Sequence, residues 1–391
     1  DEGVGGDVEV SGTVSSLASL STLITKGTTP TTLGYAHSDS GIPFLRVQNI
    51  FGGQVNFEED TLFIGEDTHA ALKRSQIQGG DVLVTIAGTI GRTGVVPLDA
   101  PSMNCNQAVA IVRPTAQIER SYLRHWLESQ AARSQMIGST VTGTISNLSL
   151  TQLGELQVPL PSLEEQRRIA AILDQAETLR TQRRQALAHL DTLTQSLFLD
   201  MFGDDAQGAP RFPVAALVDV LETPLQNGAY YPKEEYTEEG GVEMVHMSDA
   251  FNGIVQRGGL RRVNCSDADL KRYALGVADI LLARRSLTYE GAAKPCLIPP
   301  ATEPLLFESS FIRVTPDRKK LLPLYMFHYL NNETIRDKRV RPFVTQSTIS
   351  GINQSNLERV PVVVPPLALQ QTFATRIQAI EALKATHRTA L

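Results

Sequence analysis

The sequence predicts an α+β protein: two copies of one irregular globular domain, separated by two long antiparallel helices that form a coiled-coil spacer. Three observations lead there. An internal repeat divides the 391 residues into two similar halves. Each half opens with short β-like runs punctuated by Gly, Asn and Pro. Each half closes on a proline-flanked strand followed by a stretch free of helix breakers.

The repeat is the strongest signal. Thr144–Gln166 (TISNLSLTQLGELQVPLPSLEEQ) aligns without a gap on Thr348–Gln370 (TISGINQSNLERVPVVVPPLALQ). Identities include Thr144/Thr348, Ile145/Ile349, Ser146/Ser350, Leu153/Leu357, Val158/Val362, Pro161/Pro365 and Gln166/Gln370. Upstream, Gly41-Ile42 and Phe51–Val55 resemble Gly241-Val242 and Phe251–Val255, and Asp81-Val82-Leu83 resembles Asp279-Ile280-Leu281. The offset drifts slightly, as loop insertions between shared elements require. A period this long is no solenoid, so each copy is a domain plus an attachment.

The first domain is placed at 1–160, with strands at Pro43–Val47, Val82–Ile86 and Val109–Val112 and a helix over Tyr122–Met136. The second, at 204–364, repeats them as Val242–Met247, Asp279–Leu282, Phe311–Val314 and Tyr325–Lys338. Between them lies the first spacer helix, 161–203. Pro159-Leu160-Pro161 stops any earlier helix. Ser162-Leu163-Glu164-Glu165 then reads as a capping box, in which Ser162 takes the Glu165 amide and Glu165 reaches back to the Ser162 amide. Neither Gly nor Pro follows until Gly203, the expected stop. That gives a helix of about 40 residues, roughly 60 Å long at 1.5 Å per residue.

Ile172, Leu179, Ala186 and Leu193 recur every seven residues, with Leu173, Leu187, Leu190 and Leu197 on the neighbouring stripe. So broad an apolar face needs partners. The C-terminal spacer helix, 365–391, offers Phe373, Ile377 and Ile380 at helical spacing. It is the shorter of the two, so either its end is truncated or other chains cover the rest of the first. Candidate docking residues are Ile172, Leu179, Leu187, Leu193, Leu197, Phe373, Ile377 and Ile380.

Composition excludes several classes. Apolar residues make up 42% and charged residues 20%, too apolar for a disordered chain. With 36 Lys+Arg against 42 Asp+Glu the chain is no polycation. Cys105, Cys265 and Cys296 are far apart and form no CxxC, so neither a zinc site nor a disulfide framework is expected, and a reducing, cytoplasmic setting fits. No apolar run approaches a membrane span, and the start has no basic segment ahead of an apolar core.

PLPSLEEQRRIAAILD (Pro159–Asp174), running through a long helix to SLFLDMFG (Ser196–Gly203), resembles the specificity subunit of Type I restriction–modification systems. Gly27-Thr28-Thr29-Pro30 ahead of Ile42–Arg46, and Gly80–Leu83 ahead of Gly88–Gly91, fit the same pattern. The resemblance covers essentially the whole chain. It implies two target-recognition domains, each reading one half of a split double-stranded DNA sequence. It also implies helices that space the readers and dock two methyltransferase (modification) subunits, with restriction or translocase subunits joining through them. A methylation-only system, and a coiled-coil interaction scaffold, stay open as alternatives. In this reading the chain is no enzyme and carries no cofactor or metal. No Asn/Asp-Pro-Pro-Tyr/Phe motif, HExxH or triad is legible, and Gly88–Gly91 is too short to cradle a cofactor.

Residues 1–160 hold 9 basic and 15 acidic groups, and 204–364 hold 19 and 20, so DNA contact must rest on local clusters. Arg reads guanine and Asn or Gln reads adenine, while hydroxyls and amides hold phosphates. The DNA-binding candidates in the first copy are Arg92, Asn104, Asn106, Gln107, Thr140 and Thr142. In the second they are Arg284, Arg285, Lys294, Gln346 and Ser347. A further basic run, Arg336, Lys338, Arg339 and Arg341, is also available for phosphate.

Overall fold

A computed structural model describes residues 13–138, 147–204, 208–250, 253–346 and 348–389. The chain divides into two compact units, Asp1–Thr181 and Gln182–Leu391.

In the first unit the central sheet has the order Ser21–Lys26, Val109–Pro114, Val82–Thr85, Thr93–Val95, with every pair antiparallel. Val82–Thr85 is buried along its length, which explains the apolar run Val82–Val84. Alternate residues face opposite ways. Val82, Val84, Ala110 and Val112 pack on Tyr122, Leu123, Trp126 and Leu127 of the helix Arg120–Glu128. Leu83, Val109 and Ile111 pack on Leu45, Met103 and Cys105 of a second sheet. That sheet pairs Ile42–Leu45 with Met103–Cys105 in parallel. Thr13–Ser16 and Gln157–Leu160 close the unit as an antiparallel ribbon.

The second unit repeats this plan in its central sheet, its parallel pair and its closing ribbon. Its central sheet runs Gln226–Asn227, Phe311–Val314, Ile280–Ala283, Pro295–Leu297. Val242–Val245 and Leu305–Phe307 form the parallel pair, and Val214–Ala216 with Pro361–Val363 the closing ribbon. The repeat in the sequence is thus a repeat of topology. Two glycines show how closely. A Cβ on Gly27 would collide with the Cys105 carbonyl, and one on Gly228 with the Phe307 and Glu308 carbonyls. In both copies the next residue's amide reaches the same carbonyl, Thr28 to Cys105 (3.1 Å) and Ala229 to Phe307 (2.9 Å).

The expected helix over Tyr122–Met136 is two, Arg120–Glu128 and Gln130–Gly138, broken at Ser129. The expected Tyr325–Lys338 likewise divides at Asn332, giving Pro323–Asn331, Glu333–Ile335 and a π-helical turn, Arg336–Val340.

The long helix runs Leu163–Phe202. Ser162 Oγ accepts the Glu165 amide as expected (3.3 Å), but the Glu165 carboxylate turns to Arg168 instead of reaching back (2.9 Å). The helix stops at Gly203 as expected, and space rather than a left-handed backbone calls for glycine there. Its φ is not positive, and a Cβ there would strike the Leu199 carbonyl. Arg211 then donates to the Gly203 and Leu199 carbonyls at 2.8 and 3.1 Å, covering the exposed helix end.

Within the second unit the end of this helix packs on the helix Leu367–Thr389. Phe198 meets Phe373 with ring centroids 5.5 Å apart, and Asp191 meets Lys384 at 2.8 Å. As 198 falls to 191 its partner rises from 373 to 384, so the pair is antiparallel. Among the described residues no helix is long and apolar enough to cross a membrane.

Candidate nucleic-acid interface

The central sheet of each unit presents one hairpin loop at the same place. In the first unit it joins Val82–Thr85 to Thr93–Val95 and ends on Arg92; in the second it joins Ile280–Ala283 to Pro295–Leu297 and ends on Lys294. The register proves the equivalence. The Thr85 amide donates to the Arg92 carbonyl at 2.9 Å, and the Ala283 amide to the Lys294 carbonyl at 3.0 Å. The opposite flank matches too, since Ile86 accepts from Leu148 (2.9 Å) and Arg284 from Ile352 (3.0 Å). Arg92 and Lys294 therefore occupy one structural position. Both side chains are exposed.

The loops are braced differently. In the first unit the Thr85 hydroxyl accepts from the Arg92 amide (2.9 Å) and donates to the Thr89 carbonyl (2.5 Å). In the second unit Ala283 stands at that position and the loop is longer. Here Arg285 and Ser286 pair with Gly351 and Ser350. An open pocket of about 260 Å³ lies between Arg284, Arg285, Thr345 and Asn353. Arg285 is exposed; Arg284 is half-buried against the Ser309 carbonyl. Gln346 is exposed in the turn that the mutual bonds of Thr345 and Gly351 close, at 2.8 and 3.0 Å.

Asn104 is removed from the candidates. It is fully buried, its amide nitrogen donating to the Leu72 carbonyl (3.1 Å) and Ser75 Oγ (3.0 Å), its oxygen meeting His69 Nδ1 (2.5 Å). No base can reach it without breaking those bonds. Asn106 takes the Ala108 amide at 3.1 Å, which is turn chemistry, and Gln107 is exposed and meets Thr29. Thr140, Thr142 and Ser347 lie outside the described residues.

Most of the further basic run turns inward. Arg336 is 1% exposed and Arg339 9%, and Arg339 and Lys338 both pair with Asp204. Arg341 pairs with Glu333 at 2.8 Å and with Asp337. A sequence count of cations cannot separate these from Arg285 and Lys294, because burial decides it.

The docking candidates also divide. Ile172, Leu179 and Leu193 are 55%, 44% and 50% exposed. Leu187 is half-buried, and Leu197 leans on the second unit's core. Phe373, Ile377 and Ile380 are corrected: they are buried in that core and present nothing to a partner. One cluster with metal-ligand geometry occurs among the described residues, His125, Asp174 and Glu177. A guanidinium already fills it, with Arg124 Nη2 2.6 Å from Glu177, 3.3 Å from Asp174 and 2.7 Å from His125 Nε2.

The comparisons with known proteins agree with this duplicated plan. A family model for the Type I restriction modification DNA specificity domain matches residues 12–189 and again 212–391. The EcoBI specificity subunit of Escherichia coli is 34% identical over 167 residues, 41% of this chain and 35% of that one. The EcoKI specificity subunit of Escherichia coli K12 is 23% identical over 364 residues, 88% of this chain and 76% of that one. This chain thus spans about a third of the first relative's length and about three quarters of the second's. Among solved structures, the S subunit of a Type I system from M. genitalium has a TM-score of 0.55 at 14% identity, covering 98% of this chain and 92% of that one. A chain from a study of assembly and conformational transition in the type I R-M system reaches 0.59 at 19% identity, covering 96% and 92%. Those two likenesses speak for the fold; the family model, matched twice over nearly the full length, shows that the chain belongs to the Type I restriction modification DNA specificity family.

Proposed function

We propose that this chain reads double-stranded DNA as a bipartite, asymmetric target, one half-site per unit, and docks two methyltransferase subunits, with restriction subunits joining through them. The chain itself catalyses nothing. One observation carries the reading: Arg92 and Lys294 occupy the same exposed hairpin position in the two copies, while their surroundings differ. A shared cation suits the phosphate backbone, which every sequence presents. Ile86-Ala87 against Arg284-Arg285 on the neighbouring flank gives each loop its own contacts, so the half-sites differ.

Neither globular domain, 1–160 or 204–364, is net basic, so affinity for DNA is weak until partner subunits close around the duplex. Ile172 and Leu179 in the first unit and Leu193 in the second are the exposed apolar positions on which such partners seat. The test is to map methylated adenines in cells expressing this chain with a methyltransferase partner, and with either subunit alone. One split motif is expected from the pair and none from this chain by itself.

A further inference from the structure

The second unit's loop is longer than the first unit's and lacks the threonine brace, yet it closes on a constrained backbone. Ala293, one residue before Lys294, has φ of +55°, a conformation side chains rarely adopt. Something must hold it there. Arg336 lies beneath. Its guanidinium donates to four carbonyls, Ala293, Ala292 and Glu290 at 2.8 Å each and Leu330 at 3.1 Å. Three of the four belong to the loop. The side chain is 1% exposed, and its nearest carboxylate, Glu333, is 3.9 Å away and mostly solvated. A charge buried among carbonyls rather than against an acid is costly to keep.

The first unit supplies the contrast. Ser129 and Asn332 cap equivalent turns, taking the amides of Ala132 and Ile335 at 3.3 Å. Arg133 is therefore the counterpart of Arg336, and its amide bonds Ser129 as that of Arg336 bonds Asn332. Arg133 is exposed. Same residue type, same position, opposite burial: the difference is the longer loop above. A second tether acts from the side, where the Tyr289 hydroxyl donates to the Arg341 carbonyl at 2.9 Å.

We propose that Arg336, helped by Tyr289, is the positioning residue of the second unit's reading loop, fixing 284–294 so that Arg285 and Lys294, near its two ends, meet DNA in one geometry. This rests on the DNA-reading function proposed above. Arg336 touches no DNA itself.

The experiment uses the full chain assembled with its methyltransferase partner, on a DNA library randomised in both half-sites. Exchanging 204–364 for another member's domain first identifies the half-site that the second unit reads. If that exchange alters neither half-site, the functional reading fails, independently of Arg336. With the half-site known, Arg336→Lys is expected to lower discrimination there roughly tenfold, leaving the other unchanged, because an ammonium cannot span four carbonyls. Amide exchange should quicken in 286–294 while the central strands stay protected. Arg133→Lys should do nothing. Tyr289→Phe, which removes only a hydroxyl, should shift the same half-site in the same direction by a few fold, and carries the test should Arg336→Lys not fold. Equal loss at both half-sites would overturn the proposal. So would an unchanged second half-site in either variant, or faster exchange throughout the unit.

Discussion

Gln166 and Gln370 make the same three hydrogen bonds, one set in each unit. Gln166 accepts the Glu119 amide at 2.8 Å and donates to the Gln117 and Pro161 carbonyls at 3.2 and 2.9 Å. Gln370 accepts the Leu322 amide at 2.8 Å and donates to the Lys320 and Pro365 carbonyls at 2.9 and 2.8 Å. Both are fully buried. Each satisfies the free first amide of its unit's domain helix and ties it to the helix that follows the closing ribbon.

Replacing either glutamine by leucine strands an amide and two carbonyls out of water. The cost should be at least about 3 kcal/mol, since three buried polar groups are left unpaired at roughly 1–3 kcal/mol each. Urea unfolding followed by amide exchange should show the loss confined to the unit that carries the substitution. A loss shared by both units, or none, would speak against the equivalence.

Gly27→Ala and Gly228→Ala drive a methyl group into carbonyls of the parallel strand pair. Each should destabilise its own unit by at least about 2 kcal/mol, the range for overpacking against backbone that cannot yield. Calorimetry of the two variants should lower one transition each.

His328 gives the second unit a pH dependence. Burial, and then the Lys384 charge, push its pKa from 6.5 down to about 4. The folded unit therefore holds the neutral ring, while the unfolded chain protonates first as pH falls. The stabilisation is complete above pH 6.5 and is lost as pH drops towards 4, amounting to roughly 3 kcal/mol at 1.36 kcal/mol per pKa unit. Unfolding free energies between pH 7 and 4 should show this slope, and His328→Gln should flatten it. His246, shifted the same way by its burial, leaves a residual slope.

Lys294→Ala and Arg92→Ala should each weaken binding by the assembled complex about equally across DNA sequences and cut the salt slope by about one, as for a lost phosphate contact. Arg285→Ala should instead relax the preference at one half-site. Titrations at several salt concentrations distinguish the two behaviours.

The sequence carried the architecture further than the site. The match of Thr144–Gln166 to Thr348–Gln370 needed no gap because, in its described part, both copies keep a short helix (Leu150–Glu155, Gln354–Glu358), the ribbon strand and the glutamine tether. The strands at Val82–Thr85 and Ile280–Ala283 were legible because a strand buried on both faces is largely apolar, as Val82–Val84 and Ile280–Leu282 are. Side-chain fates were not legible. Asn104 and Asn106 are two residues apart in one polar run, yet one is buried under Leu72 and Ser75 and the other caps a turn. Arg336 and Lys294 read alike as cations, but only the fold puts one beneath the loop and the other on it. Phe373, Ile377 and Ile380 share the spacing of Ile172 and Leu179, and only their neighbours show that they are already covered.

The central claim is that each unit reads one half of a split target. Methylated adenines should be mapped in cells carrying the methyltransferase partner with this chain, and with a version whose residues 1–160 come from another family member. The expected result is one bipartite motif whose halves differ, with the exchange changing one half and leaving the other and the spacing intact. A change in both halves, or a motif that survives the exchange unaltered, would contradict the claim.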